Sequence, residues 1–212
     1  MQTQQIIAIA PVASLIMAIT IGASLFVFSN EKYYDRWMLH PYYVSRGEDV
    51  YTYFTSALIH RDWMHLIFNM VSYYFFAFNL EPQIGHWQFF VLYVASMILS
   101  DVPSVIKHKN NPGYRSLGAS GAVSAVVFSA ILYNPLAQMG VLILPVMMPA
   151  YIFGILYLVY CHFASKHARD HINHDAHLFG ALTGVVITAL LHPGVLGSFA
   201  AQVSGAIQSY LH

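Results

Sequence analysis

Residues 6–28 read Ile-Ile-Ala-Ile-Ala-Pro-Val-Ala-Ser-Leu-Ile-Met-Ala-Ile-Thr-Ile-Gly-Ala-Ser-Leu-Phe-Val-Phe, without one ionisable side chain. A helix of roughly 20 apolar residues crosses a hydrocarbon core, so this stretch predicts a membrane span. Working outward, further apolar segments lie at 66–80, 87–106, 118–133, 139–161 and 176–191. Those beginning at Leu66 and Gly118 are short by the same measure. The first is therefore extended back to about Ala57, which draws His60 and His65 to or into the membrane. The expected fold is an all-α polytopic membrane protein, a bundle of six transmembrane helices.

Composition agrees. Of 212 residues, 58% are hydrophobic and 8% charged, and the mean hydropathy is +0.56. Soluble domains carry about 25% charged residues, so this chain cannot build a water-facing surface. The formal net charge is zero, which gives no argument for a nucleic-acid partner. A single cysteine, Cys161, excludes a disulfide framework and a cysteine cluster for metal. The five residues before Ile6, Met-Gln-Thr-Gln-Gln, lack the basic start of a signal peptide, so the first helix is expected to be retained. The whole chain, 1–212, is expected to form one membrane domain, with a core at about 51–192.

The connections carry the polar residues. Residues 29–56 hold Tyr33, Tyr34, Trp37, Tyr42, Tyr43, Tyr51 and Tyr53, aromatics that favour the water–lipid boundary. Glu81-Pro82-Gln83-Ile84-Gly85 is expected to end the second helix, because proline and glycine both interrupt helices. Asn110-Asn111-Pro112-Gly113 makes a turn-rich approach to the fourth segment, and Asn134-Pro135 separates the fourth from the fifth. Beyond His192-Pro193-Gly194, the residues Leu196, Phe199, Val203, Ile207 and Tyr210 recur at helical spacing among Ser198, Gln202 and Gln208. Residues 194–212 thus read as an amphipathic helix lying along the membrane.

Three polar groups stand out against this apolar background, where they usually mark function. Gly118-Ala119-Ser120-Gly121 opens the fourth segment. Small neighbours leave room for a substrate backbone, and a helix N-terminus favours developing negative charge, as a serine nucleophile with an oxyanion requires. In the last segment His177 shares a helical face with Gly180 and Gly184. Glycines spaced four apart let a neighbouring helix approach closely, so the face bearing a candidate base also pairs with another helix. In the second segment His65 and Asn69 lie four apart on one face, and both can donate to an oxyanion. His60 falls off that face and is expected to brace the loop entering the helix. Each motif alone also fits plain helix packing.

Taken together, these residues resemble the rhomboid family of intramembrane serine proteases, over about residues 51–184. The resemblance rests on His60, His65 and Asn69 in a His-x-x-x-x-His-x-x-x-Asn pattern, on Leu80-Glu81 followed by Gly85, on Gly118-Ala119-Ser120-Gly121, and on Ala176-His177 with Gly180 and Gly184. It implies Ser120 as nucleophile and His177 as general base. Asn69, His65 and the Ser120 N–H would form the oxyanion hole, with structural support from His60, Gly118, Gly121, Gly180 and Gly184. It also implies membrane-protein substrates cut in their transmembrane segments, with no cofactor and no metal.

Two positions depart from the family pattern. Tyr51-Thr52 stands where many members have Trp-Arg, and Ser124 stands where many have a tyrosine that stacks on the catalytic histidine. Support for the His177 ring is therefore expected from an aromatic on another helix. Orientation is contested within the sequence. The basic residues Lys32, Arg36, Arg46, Arg61, Lys107, Lys109, Arg115, Lys166 and Arg169 all follow helices one, three and five, which the positive-inside rule places in the cytoplasm. The family resemblance implies the opposite, a cytoplasmic N-terminus, and is followed here. The absence of a targeting extension favours a prokaryotic plasma membrane. Two rival readings stand beside the protease. One is a non-catalytic rhomboid-like factor that binds membrane proteins. The other is a metal transporter or metal-dependent enzyme built on His162, His167, His171, His174 and His177, of which 167, 171 and 174 would share a helical face.

Overall fold

The computed structural model describes residues 8–140, 146–168, 170 and 172–211. Its helices are α1 (Pro11–Phe28), α2 (Glu31–Trp37), α3 (Pro41–Val44), α4 (Thr52–Leu58), α5 (Trp63–Ile84), α6 (His86–Leu99), α7 (Val102–His108), α8 (Ser120–Tyr133), α9 (Ala150–His167), α10 (His174–Leu191) and α11 (Val195–Leu211). Two short strands, β1 (Gln138–Met139) and β2 (Met148–Pro149), pair antiparallel between α8 and α9.

Helix α8 is the axis of the bundle. Residues Gly121 through Val126, Phe128, Ser129, Ile131 and Leu132 are all buried, as expected of a helix that is apolar on every side. Helices α5, α6, α9, α10 and α11 pack around it. Its flanking helices show the opposite pattern. Leu15 and Ile19 on α1, Ile155, Val159 and Phe163 on α9, and Val186 and Leu190 on α10 are exposed. Helices with apolar outer faces and satisfied backbones are the form a chain takes in lipid. Helix α1, the α6–α7 run at His86–His108 and helix α10 are long and apolar enough to cross a membrane, while α8 is a shorter apolar helix.

Several expected boundaries move. The second span does not reach back to Ala57. The chain makes the separate helix α4, turns through Ile59–Asp62, and restarts at Trp63 with the Asp62 carboxylate accepting from the His65 N–H at 2.8 Å. An apolar run hid a helix cap, and a side chain that satisfies a first-turn donor fixes the start. Helix α5 also runs through Pro82 to Ile84. It ends at Gly85, whose φ of 93° is one that L side chains rarely adopt. The helix of the expected fifth span starts at Ala150 instead of Met139, after the strand pair, and residues 141–145 lie outside those described. The expected start at Ile6 likewise falls outside the described residues. The aromatic connection 29–56 holds the short helices α2 and α3 and the start of α4, with Tyr33 and Trp37 packed on Phe26 of α1.

One buried carboxylate joins α1 to α5. Pro11 opens α1, which has no side-chain cap of its own. Glu81, fully buried, supplies one from another helix: its oxygens accept from the Val12 N–H at 3.1 Å and the Ala13 N–H at 2.6 Å. His86 Nδ1 lies 2.6 Å from the same carboxylate. Anion and helix N-terminus attract, and charge-assisted hydrogen bonds of this kind are the strong ones. Glu81→Ala is therefore expected to destabilise the protein by about 2–4 kcal/mol, read as a lowered unfolding midpoint in detergent, with Glu81→Gln intermediate. A loss under about 0.5 kcal/mol, the level of an ordinary surface substitution, would show that this cap is not needed.

Candidate active site

The serine and histidine helices meet backbone to backbone. A Cβ added to Gly180 would collide with the Gly121 carbonyl oxygen, and one added to Gly184 would collide with the Ala125 carbonyl oxygen. A Cβ on Gly121 would strike the Ser100 side chain and stand 3.3 Å from the Ala176 carbonyl oxygen. Gly121 follows Ser120 and Ala176 precedes His177, so the chain neighbours of both residues touch across the seam. Only residues without a side chain permit this approach.

Ser120 is the first residue of α8, so its N–H belongs to the first-turn donors that lack an intrahelical partner. The approach to it is pinned. Leu39 and Ser116 exchange backbone hydrogen bonds of 2.8 and 3.0 Å, and the Gly118 N–H donates to the Ser56 carbonyl at 2.9 Å. Gly118 adopts φ 117°, and a Cβ there would lie 2.7 Å from His65 Cε1 and 2.9 Å from Nε2. The His65 ring thus leans over the backbone two residues before Ser120. Its Nδ1 accepts the Arg61 N–H at 3.4 Å. The neutral ring then carries its proton on Nε2, the nitrogen facing Gly118. The Asp62 carboxyl, receiving the His65 N–H and then the Arg61 guanidinium, is held below the usual carboxylate range.

Asn69 is buried one turn further along α5 and donates one of its amide hydrogens to the His65 carbonyl at 3.1 Å. His60 is fully buried, with Nδ1 3.0 Å from Ser24 Oγ on α1. The Ser24 hydroxyl spends its one proton on the Leu58 carbonyl at 3.0 Å, so His60 Nδ1–H is the donor to Ser24. This bond fastens the turn ahead of α5 to α1.

The His177 ring lies nearly parallel to the Tyr157 ring of α9, 9° apart with centroids at 6.5 Å, and edge-on to His174 at 6.1 Å. The Tyr157 hydroxyl shares a 2.9 Å hydrogen bond with Ser124 Oγ. The missing tyrosine on the serine helix is thus answered from α9, and the small Ser124 makes the room and the bond for it. Tyr157 was not legible in the sequence as a site residue, since its partners lie 33 and 20 residues away in the chain. Asn173 was also missed. Its Oδ1 caps α10 by accepting from the Ala176 N–H and also accepts from Ser104 Oγ, while its Nδ2 donates to Ser116 Oγ, each at 3.0 Å. One amide ties the histidine helix to the approach to Ser120. An asparagine three residues before an apolar helical run was the available signal.

The expected histidine face does not form as a unit. Helix α9 ends at His167 and α10 begins at His174, so these residues stand on different helices, and His171 lies outside the described residues. His162 lies 3.0 Å from Lys166, and His167 Nδ1 bonds the Phe163 carbonyl. Among the described residues of that set, His174 remains with His177, in a group that includes Cys161. Among the described residues, Asp175 pairs with Lys107 at 2.6 Å and Asp170 lies 3.2 Å from His174.

Comparison with known proteins agrees with the motifs. Over 183 residues the chain is 26% identical to RHOMBOID-like protein 12, mitochondrial, of Arabidopsis thaliana, covering 76% of this chain and 53% of that protein. Over 132 residues it is 30% identical to Presenilin-associated rhomboid-like protein A, mitochondrial, of Danio rerio, covering 61% and 34%. Over 94 residues it is 29% identical to Rhomboid protease GlpG of Enterobacter sp., covering 44% and 31%. The chain thus spans about half or less of the length of these relatives. They come from mitochondria and bacteria alike, so the likeness does not support the prokaryotic plasma membrane expected from the sequence. The model of the rhomboid domain matches residues 47–194, most of the chain, and with its apolar-faced helices this integral membrane protein belongs to the rhomboid family.

Proposed function

We propose that the protein is an intramembrane serine endopeptidase that cleaves transmembrane segments of other membrane proteins through Ser120 and His177. The observation that carries this reading is the glycine seam, which presses the first turn of the serine helix against the first turns of the histidine helix. His177 takes the Ser120 proton as Oγ attacks the scissile carbonyl. The oxyanion receives hydrogen bonds from the Ser120 N–H, His65 Nε2–H and the Asn69 amide. His177 then gives its proton to the leaving amine, and water hydrolyses the acyl-enzyme by the same steps. A third, ionised carboxylate would be costly inside lipid. Tyr157 and His174 hold the ring in its place.

The whole chain acts in this reading as one domain of six crossings, formed by α1, α5, α6–α7, α8, α9 and α10, with α11 lying along the membrane. At 1.5 Å per residue α8 is about 21 Å long, less than the about 30 Å of hydrocarbon. At least one of its ends therefore lies at membrane depth, and in this reading it is the N-terminus. The irregular chain before it is tolerated there because Ser56, Leu39 and His65 enclose it. A substrate helix must unwind locally to offer a carbonyl, so helix-weakening residues near the cut should speed cleavage.

Purified protein in detergent, given a fluorogenic transmembrane substrate, is expected to cleave it in the presence of a chelator. Ser120→Ala and His177→Ala should each lose at least about a thousandfold in rate. Cleavage that survives Ser120→Ala would sink the dyad. Tyr157→Leu is expected to lower kcat by about ten- to a hundredfold, the scale of a misplaced catalytic group, with KM nearly unchanged. Tyr157→Phe, which keeps the ring and loses only the Ser124 bond, should lose much less. Equal kcat in wild type and Tyr157→Leu would show that the stack does not position His177.

A further inference from the structure

Beside the dyad, three side chains converge that the proposed reaction does not use together. Cys161 Sγ, a nitrogen of His174 and a nitrogen of His177 all lie within 4.8 Å of one another. Cys161 is fully buried and His174 is 4% exposed. His174 Nε2 lies 3.2 Å from both oxygens of Asp170, so it carries the ring proton and donates it there. Its Nδ1 therefore presents a lone pair, and among the described residues that buried atom has no hydrogen-bond partner. A buried acceptor left unpaired is costly, and a carboxylate holding the far nitrogen of a histidine is the arrangement that prepares the near one for a metal.

We propose that Cys161, His174 and His177 bind a soft divalent cation, zinc above all, and that its binding switches the enzyme off. Thiolate and imidazole are the ligands zinc prefers, with bonds of about 2.0–2.3 Å. Ligand atoms in a tetrahedral site then stand about 3.5 Å apart, so small side-chain movements close the group. Three protein ligands leave the fourth position to water. The Cys161 thiol gives up its proton to solvent as the Zn–S bond forms, so binding weakens as pH falls. Inhibition rests on the dyad proposed above and holds through either ring nitrogen. A metal on His177 Nε2 occupies the lone pair that would take the Ser120 proton. A metal on Nδ1 forces the ring proton onto Nε2, with the same result.

Cobalt(II) titration of the purified full chain in detergent tests binding without reference to catalysis. A thiolate-to-cobalt charge-transfer band is expected in wild type and is expected to disappear in Cys161→Ser and Cys161→Ala. Asp170→Asn should weaken the affinity by about tenfold, the usual effect of losing a carboxylate behind a ligand. Zinc inhibition is read as the ratio of cleavage with and without the metal inside each variant, so changes in basal rate drop out. At least about tenfold inhibition is expected in wild type, with little or none in Cys161→Ser. Absence of the band, or its survival in both Cys161 variants, overturns the site. Equal zinc inhibition of wild type and Cys161→Ser overturns the switch. A cysteine-dependent band with no cleavage by any form would sustain the site and sink the protease reading, so the two fail separately.

Discussion

The approach of two backbones at Gly121 and Gly180 governs the rest of this structure. No side chain can stand between the α8 and α10 backbones at that crossing, because a single Cβ would already meet a carbonyl oxygen. Lipid supplies no hydrophobic force between helices, so close van der Waals packing must hold them together. The same closeness fixes the geometry around Ser120 and His177 to the stiffness of two helices. A loop could not do this as well. The Asn173 amide completes the alignment, since it bonds at once to the start of α10, to Ser104 on α7 and to Ser116 ahead of α8.

Around that fixed crossing, the surrounding helices divide the remaining tasks. Helix α5 brings His65 over Gly118 and sets its Nε2–H toward the approach to Ser120. Helix α9 brings the ring that lies against His177. The small Ser124 on α8 faces Tyr157 on α9 and shares a hydrogen bond with its hydroxyl. A tyrosine at 124 would compete with Tyr157 for the space and for the bond its hydroxyl makes. Helix α1 stands apart from the chemistry, held through Glu81 at its N-terminus and through Ser24 to the turn ahead of α5.

What the sequence disclosed and what it hid divide along a physical line. The glycines at 180 and 184, the serine between glycines and the pair His65–Asn69 were legible because each is a local pattern, a spacing on one helical face set against apolar neighbours. The helix that Glu81 caps was not legible, because the contacts there are the backbone N–H groups of Val12 and Ala13, which no side chain marks. Tyr157 was hidden among many tyrosines, since what distinguishes it is a contact across helices. The boundary near Ile59 was misread because hydropathy continues smoothly through Ala57-Leu58-Ile59 while the backbone turns; the cap at Asp62 was the better guide. The strand pair of Gln138–Met139 and Met148–Pro149 was missed for a similar reason, as the apolar run around it reads equally well as helix.

Supporting the His177 ring from another helix has a chemical consequence. On α9 the residue one turn beyond Tyr157 is Cys161, so the face that presents the supporting ring also presents whatever stands at that next position. On α10 the residue one turn before His177 is His174, whose ring meets Asp170 at one nitrogen and, among the described residues, has no hydrogen-bond partner at the other. A base oriented by packing alone needs close neighbours on several sides. Around His177 those neighbours are an aromatic ring, an imidazole and a thiol, from Tyr157, His174 and Cys161. That set of groups steadies a ring and, when two or three of them point inward, also binds soft metals. The packing that steadies the His177 ring thereby brings a thiol and a second imidazole within 4.8 Å of it.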